Sequence, residues 1–280
     1  MMTMTARIDR PANNSVSLKG AYNQRFNVIP ARNRDQLAQV HRLRYQVYCI
    51  ENNFEDPNIH PNGIEQDVYD ARSVHSLLID RRSGAVAGTV RLILPTLKTE
   101  QNFPIQGVCN SPLLAEAQTA DKGRAAEISR FCISKEFRQQ IRISQAGDSA
   151  TTDLQDSAVD NNLLMPCITL GLMKAIVQMS AEHGITNWFA VMEQPLLRLL
   201  TRFGIYFKPI GAIVEYHGKR QPCHQNVEVL LARIKKERRD VWDVITDEGR
   251  LLEKLRRKVK ALPTCRQRAQ TYKRPFSLHA

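Results

Sequence analysis

The sequence predicts a mixed α/β fold, a central sheet with helices on its faces, and three observations carry that expectation. Two strand-like runs flank a Ser-Gly turn at residues 83–84, a long apolar pattern of helical spacing covers 163–184, and further strand-like runs stand before and after it. Short strands alternating with longer helices are the pattern of a sheet crossed over by helices.

Taken in order, residues 34–51 (RDQLAQVHRLRYQVYCIE) put Leu37, Val40, Arg44, Val47 and Tyr48 on one helical face, with Arg44 inside the apolar stripe. After a polar loop, SVHSLLID, RRSG and AVAGTVRLILP read as strand, turn and strand. AEISRFCIS (126–134) is the third strand, and ISQAGDSATTDLQDSAVDNN is too polar to cover a core, so it reads as a loop. In LLMPCITLGLMKAIVQMSAEHG, Leu164, Ile168, Leu172 and Ile176 recur every four residues and Gly184 marks the stop. ITNWFAVM reads as a strand and QPLLRLLTRFG as a short helix opened by proline and closed by glycine. GAIVEYHGKRQP and NVEVLLARI are expected to be a closing strand pair. The segment RRDVWDVITDEGRLLEKLRRKVKAL, with Val241, Val244, Ile245, Leu251, Leu252, Leu255 and Val259, reads as an amphipathic basic helix or helix pair.

With 280 residues and 42% apolar composition, the chain can bury one large core. No run approaches the ~20 consecutive apolar residues of a membrane span, and MMTMTARIDRPANN lacks the apolar centre of a signal peptide, so a cytoplasmic location is expected. Cys49, Cys109, Cys132, Cys167, Cys223 and Cys265 are scattered and read as free thiols. Net charge is +12, and residues 233–274 hold fifteen Lys/Arg against six Asp/Glu, so most of the basicity lies near the C-terminus. A basic helix there attracts an acidic partner or an anionic surface, or is simply a solvated face.

His217, Cys223 and His224 flank the turn GKRQP without a fourth ligand of suitable spacing, so no metal is expected. Trp188, Phe189 and Met192 belong to a strand beside 126–134, where they serve either as core or as pocket lining.

The run GLMKAIVQMSAEHGITNWFAVMEQPLLRLLTRFGI resembles the second half of an N-acetyltransferase-like (GNAT) fold. RYQVY, EQDVYD, AGTVRL and EISRFCIS, in this order, resemble the acyl-homoserine-lactone synthase branch of that superfamily. Within it the chain is similar to the N-acyl amino acid synthases, including the acyltransferases associated with the PEP-CTERM/exosortase system. The resemblance covers about residues 25–232, which sets a GNAT-like acyltransferase domain between an N-terminal arm (1–24) and a basic helical extension (233–280). It implies an acyl-CoA N-acyltransferase fold and transfer of a long-chain acyl group from a thioester to the amine of an amino acid.

By that resemblance, Arg44 and Tyr48 match the arginine and aromatic positions of the N-terminal helix, and Phe54 stands where the synthases usually carry tryptophan. Asp67 and Asp70 match the paired acidic positions, Arg91 the arginine of the second hairpin strand, and Glu127 and Arg130 the pair on the strand beside the thioester. Glu127 is the first candidate for the base that takes a proton from the incoming amine. Arg130 and Asp67 complete the catalytic candidates, and Arg44, Phe54, Asp70, Arg91, Ser129 and Phe131 are the substrate-binding ones.

In a regular strand Glu127, Ser129 and Phe131 face one side and Arg130 the other, unless a bulge turns Arg130 over. Arg44, Arg91 and Arg130 admit two readings: grip on a substrate carboxylate, or a buried network with Asp67, Asp70 and Glu127 that orders the N-terminal loop.

The stretch KEFRQQIRISQAGDSA lacks the Gly-rich turn that holds a coenzyme pyrophosphate, which favours an acyl carrier protein over acyl-CoA as donor of the phosphopantetheine thioester. Lys135, Arg138, Arg142 and the basic C-terminal helix are the candidate contacts for that acidic protein. No tightly bound cofactor, nucleic acid or transmembrane segment is expected, and the C-terminal helix offers a peripheral membrane contact. Two other functions compete: a signal synthase of the acyl-homoserine-lactone type acting on S-adenosylmethionine, and a non-catalytic binding protein on the same fold.

Overall fold

The computed structural model describes residues 17–96, 103–119, 123–140 and 161–261. Its elements are α1 (Leu18–Arg25), β1 (Phe26–Ala31), α2 (Arg34–Tyr45), β2 (Ser73–Asp80), β3 (Val86–Ile93), α3 (Pro112–Thr119), β4 (Ala125–Ile133), a helix α4 over 135–140, and α5 (Asn161–His183). There follow β5 (Asn187–Glu193), α6 (Gln194–Arg202), β6 (Lys208–Pro209), β7 (Val214–Glu215), β8 (Lys219–Asn226), α7 (Val227–Glu237), α8 (Arg239–Ile245) and α9 (Arg250–Ala261). The polar loop expected over 143–162 lies almost wholly outside the described residues.

Eight strands form one sheet in the order β1-β2-β3-β4-β5-β8-β6, with β7 also on β8. All pairs are antiparallel except β4 with β5, the two strands that α5 connects. Only a crossover of that length can return the chain parallel to itself.

Local signals explain most boundaries. Asn33 and Gln36 form a reciprocal capping box at the start of α2, and the Ser17 and Asn226 side chains cap α1 and α7 by accepting from the backbone N–H of Gly20 and Val229. The helix expected over 34–51 ends at Tyr45 and continues as a π-helical turn over Gln46–Glu51, which keeps Val47 and Tyr48 buried on the side of Arg44.

The closing strand pair is corrected. NVEVLLARI is the start of α7, and the long strand is KRQPCHQN, paired with β5 and with the two-residue β6 and β7. Val227, Leu230, Leu231 and Ile234 recur at 3-, 1- and 3-residue intervals and are all buried, so helical periodicity on a capped segment outweighs β-branched content.

The main core fills the space between the sheet and α5, and extends under α1, α6, α7, α8 and α9. Cys167, Ile168, Leu170, Leu172, Ala175, Ile176 and Val177 are fully buried, each large side chain contributing roughly 1.5–3 kcal/mol. By length and composition α5 could cross a membrane. Here its surroundings are the sheet and the helices α8 and α9. On the opposite face of the sheet a smaller cluster joins Ile93, Phe103, Ile105, Leu114, Ala125 and Phe189.

Candidate active site

The parallel pair β4–β5 holds register from Ala125↔Asn187 to Ile128↔Ala190 and then separates. Two causes lie in β4 and in β3 beside it. Opposite β3, pairing runs Arg91↔Ser129 and then Thr89↔Cys132, so Arg130 and Phe131 face the single residue Val90. That is a bulge, and Arg130 sits in the left-handed region at φ +50°. The second cause is Gly88, where a Cβ would meet the Cys132 carbonyl oxygen at 2.7 Å. Glycine thus lets β3 approach the far side of the bulge.

Beyond Ile128 the gap opens into a cavity of about 390 Å³. It is lined from both faces of the sheet, so it passes between the strands. Asp67, Tyr69, Arg91, Glu127 and Arg130 form its polar end; Phe131, Met173, Ile176, Met192, Leu196 and Leu199 form its apolar end.

Glu127 is buried at the polar end, and its Oε2 accepts a 2.9 Å hydrogen bond from the backbone N–H of Ile105. Burial pushes its carboxyl up to about 7, against the opposing pull of the Ile105 N–H and of Arg91, Arg72 and Arg130.

The three arginines bind protein carboxylates. Arg44, fully buried, donates from Nη1 and Nη2 to the two Asp70 oxygens at 2.6 and 3.0 Å and from Nε to Glu65. Arg91 donates to Asp67 (2.6 Å), Asp70 (2.9 Å) and the Ser129 hydroxyl (2.9 Å). Arg130 donates to Glu65 (2.8 Å), Asp67 (3.2 Å) and Glu55 (3.3 Å), and its guanidinium lies 4.6 Å from the Tyr48 ring centroid. Burial alone would raise Glu65, but the Arg130 and Arg44 guanidiniums outweigh it and hold the carboxyl at about 2. Asp70 is likewise held below the usual range, its burial overcome by Arg44 and Arg91.

The structure thus brings Arg44, Asp67, Asp70, Arg91, Ser129 and Arg130 into one network beside Glu127, with Phe131 at the start of the apolar end. Phe54 does not line the cavity. It stands edge-on to Tyr48 at 5.7 Å and supports Arg220, whose guanidinium is 5.2 Å from its ring centroid. Arg138, on α4, lines the cavity, while Lys135 is tied to the Glu51 carbonyl at 3.2 Å; Arg142 lies outside the described residues. Glu55, Glu65, Tyr69 and Arg220 were not among the sequence candidates. Glu65 had a signal: it opens EQDVYD, two residues before Asp67.

His41, Asp70 and His75 bring ligand atoms within 4.8 Å of one another. A cation fits them poorly, because the Arg44 and Arg91 guanidiniums already bond the Asp70 oxygens and repel a further positive charge, and the Gln66 amide is bonded to His41 Nδ1. His217, Cys223 and His224 are dispersed: His217 lies tilted against the Phe54 ring, Cys223 is in the main core, and His224 meets Asn187 and Phe189.

Comparison with known proteins agrees with this geometry. An acetyltransferase (GNAT) domain family matches residues 43–146. An acyl-homoserine-lactone synthase of Agrobacterium fabrum (strain C58) is 29% identical over 183 residues, 64% of this chain and 73% of that protein. The structure of TofI in a ternary complex with an inhibitor and MTA superposes with a TM-score of 0.51 at 20% identity, covering 78% of this chain and 96% of that one. FeeM, an N-acyl amino acid synthase from uncultured soil microbes, gives a TM-score of 0.46 at 12% identity over 75% of this chain and 94% of that one.

Fold and likeness together define an acyltransferase enzyme with a GNAT fold. On that fold the chain is similar in sequence to an acyl-homoserine-lactone synthase.

Proposed function

We propose that this enzyme transfers a long-chain fatty acyl group from the phosphopantetheine thioester of an acyl carrier protein to the amine of an amino acid, in the cytoplasm, releasing an N-acyl amino acid and the free thiol. The observation that carries the reading is Glu127: a buried carboxyl near pKa 7, set where the β4–β5 gap leads from a polar end to an apolar one.

An ammonium ion has no lone pair for attack. Glu127, directly or through a water, takes its proton, and a base of pKa near 7 is suited to do so at neutral pH. The amine then adds to the thioester carbonyl. Backbone N–H groups released by the Arg130 bulge are donors for the developing oxyanion. Collapse breaks the C–S bond, and the departing thiolate is protonated, so atoms and charge balance without a covalent enzyme intermediate. Cys132, buried and pushed up to about 12 by that burial, is unsuited to be a nucleophile.

Asp67 links Arg91 to Arg130, which makes it a positioning residue. The acceptor's carboxylate falls to Arg220, which lines the cavity and is held by the half-exposed Glu193 at 3.1 Å. Arg138 faces the donor, consistent with a carrier arm, and an acyl-CoA donor is the alternative.

One observation favours a second reading. Arg44, Arg91 and Arg130 are all bonded to carboxylates, and Glu55, Glu65, Asp67 and Asp70 outnumber them, so the polar end favours a cationic acceptor such as S-adenosylmethionine, as in signal synthesis. Purified enzyme with a palmitoyl-loaded carrier protein, given pooled amino acids or S-adenosylmethionine, separates the two by mass spectrometry of the acylated product. An N-acyl amino acid lost in Arg220→Gln supports the first reading; an acylated homoserine lactone replaces it with the second.

A further inference from the structure

Away from the cleft, a concavity of about 640 Å³ lies at the C-terminal end of α5, lined by Arg32, Val74, Ala181, Glu182, His183, Lys254, Arg257 and Lys258. From Met173, which lines the acyl cavity, to His183 is about 15 Å along α5. Four cations, Arg32 and three from α9, meet here around one carboxylate. Glu182 serves two of them, Arg32 at 3.1 Å and Lys254 at 3.3 Å. Arg257 and Lys258 are exposed and have no ion pair among the described residues. The local potential shows in His183: half-burial lowers its affinity for a proton, and Lys258, Arg32 and Lys254 lower it further against Glu182.

We propose that this concavity is a docking site for the headgroups of anionic phospholipids, holding the enzyme on a membrane surface. The chemistry of the lining selects that occupant. Among the lining residues there is no Phe, Tyr or Trp, hence no ring to stack a nucleic-acid base. Val74 and Ala181 are its only purely apolar residues, too little for the buried anchors of a protein partner. What remains is a recess that can admit a headgroup, with exposed cations at its rim.

The helix that supplies three of those cations is amphipathic, but its apolar side is already committed. Leu252 and Leu255 are buried in the main core, with Leu251 and Val259 against it. Contact through α9 is therefore electrostatic and leaves the acyl chains of the bilayer undisturbed, which makes it sensitive to salt. The docking site is separate from the cleft and independent of which amine or donor is used.

The test is co-sedimentation of the full chain with phosphatidylcholine vesicles, with and without about one-third phosphatidylglycerol, across about 0.05–0.5 M salt. Wild type is expected to partition to the anionic vesicles alone and to be released by salt. Arg257→Glu/Lys258→Glu should weaken this at least tenfold, since each cation is worth about fivefold. A charge-matched control, Arg198→Glu/Arg202→Glu on the exposed face of α6, should retain it.

Circular dichroism of both variants establishes that they are folded. Absence of anionic-vesicle binding at low salt overturns the proposal, and so does an equal loss in both variants. Salt-sensitive retention of the wild type by DNA or by an acidic carrier protein, abolished by Arg257→Glu/Lys258→Glu while vesicles are ignored, replaces the lipid with that partner. Acyl-transfer activity in vesicle-free buffer is read in parallel, so failure of the enzymatic reading and failure of docking are seen separately.

Discussion

Glu65, behind the Arg130 guanidinium, and Glu127, which lines the cavity, are both buried carboxyls, yet Glu65 is held at about 2 and Glu127 pushed up to about 7. Burial opposes ionisation at both. The difference is contact: Glu65 receives two guanidiniums, whereas Glu127 receives one backbone N–H and feels Arg91, Arg72 and Arg130 only through space. Protonation at this site is therefore set by what touches the oxygen. The first carboxyl is a permanent charge that holds structure; the second can gain and lose a proton near neutrality.

The sharpest way to break the comparison is to unbalance the charged half. Arg44→Ala leaves the Glu65 and Asp70 carboxylates short of their buried partner and is expected to cost about 3–5 kcal/mol in denaturant unfolding. Next comes the titrating half. Glu127→Gln keeps the size and removes the proposed base, so acyl transfer should fall about 100-fold, roughly 2.7 kcal/mol of transition-state stabilisation, with the fold unchanged. An unaltered rate would pass the role of base to solvent or to Asp67.

The two carboxyls also tilt stability in opposite directions with pH. Glu127 has a folded value above its ordinary one of 4.5, so its contribution is full below about pH 4.5 and is lost as pH rises to about 7, on the order of 3 kcal/mol in all. Glu65 has a folded value below 4.5, so its contribution is present above pH 4.5 and is lost as pH falls toward 2. Thermal melts between pH 5 and 8 should thus show wild type losing stability relative to Glu127→Gln, whose side chain does not titrate. A smaller effect belongs to the apolar end: Leu196→Trp fills cavity volume and should raise KM for the longest acyl donors about tenfold or more while sparing short ones.

Much of this site was legible in the sequence because its parts lie in short, strongly patterned segments. The hairpin, the strand–helix–strand unit of β4, α5 and β5, and the arginine inside the α2 stripe all follow from local periodicity. The side to which Arg130 turns does not. Alternation sends it away from Glu127, and only the bulge against Val90, with its left-handed backbone, brings it to the Asp67 and Ser129 side. A bulge is a property of two strands, and one strand's sequence does not declare it. β1, an edge strand containing Pro30, was missed because proline weakens the strand signal, while α7 was misread because its valines suit both periods. Glu65 was passed over beside two aspartates that matched a pattern.

Gly88 touches nothing in the cavity, yet it governs how closely β3 and the bulged half of β4 can approach, with the Leu172 side chain as the next neighbour. Even a methyl group there must displace the Cys132 carbonyl, and β4 beyond the bulge is one wall of the acyl passage. The width of the passage therefore depends on a position behind its wall as well as on the residues that line it.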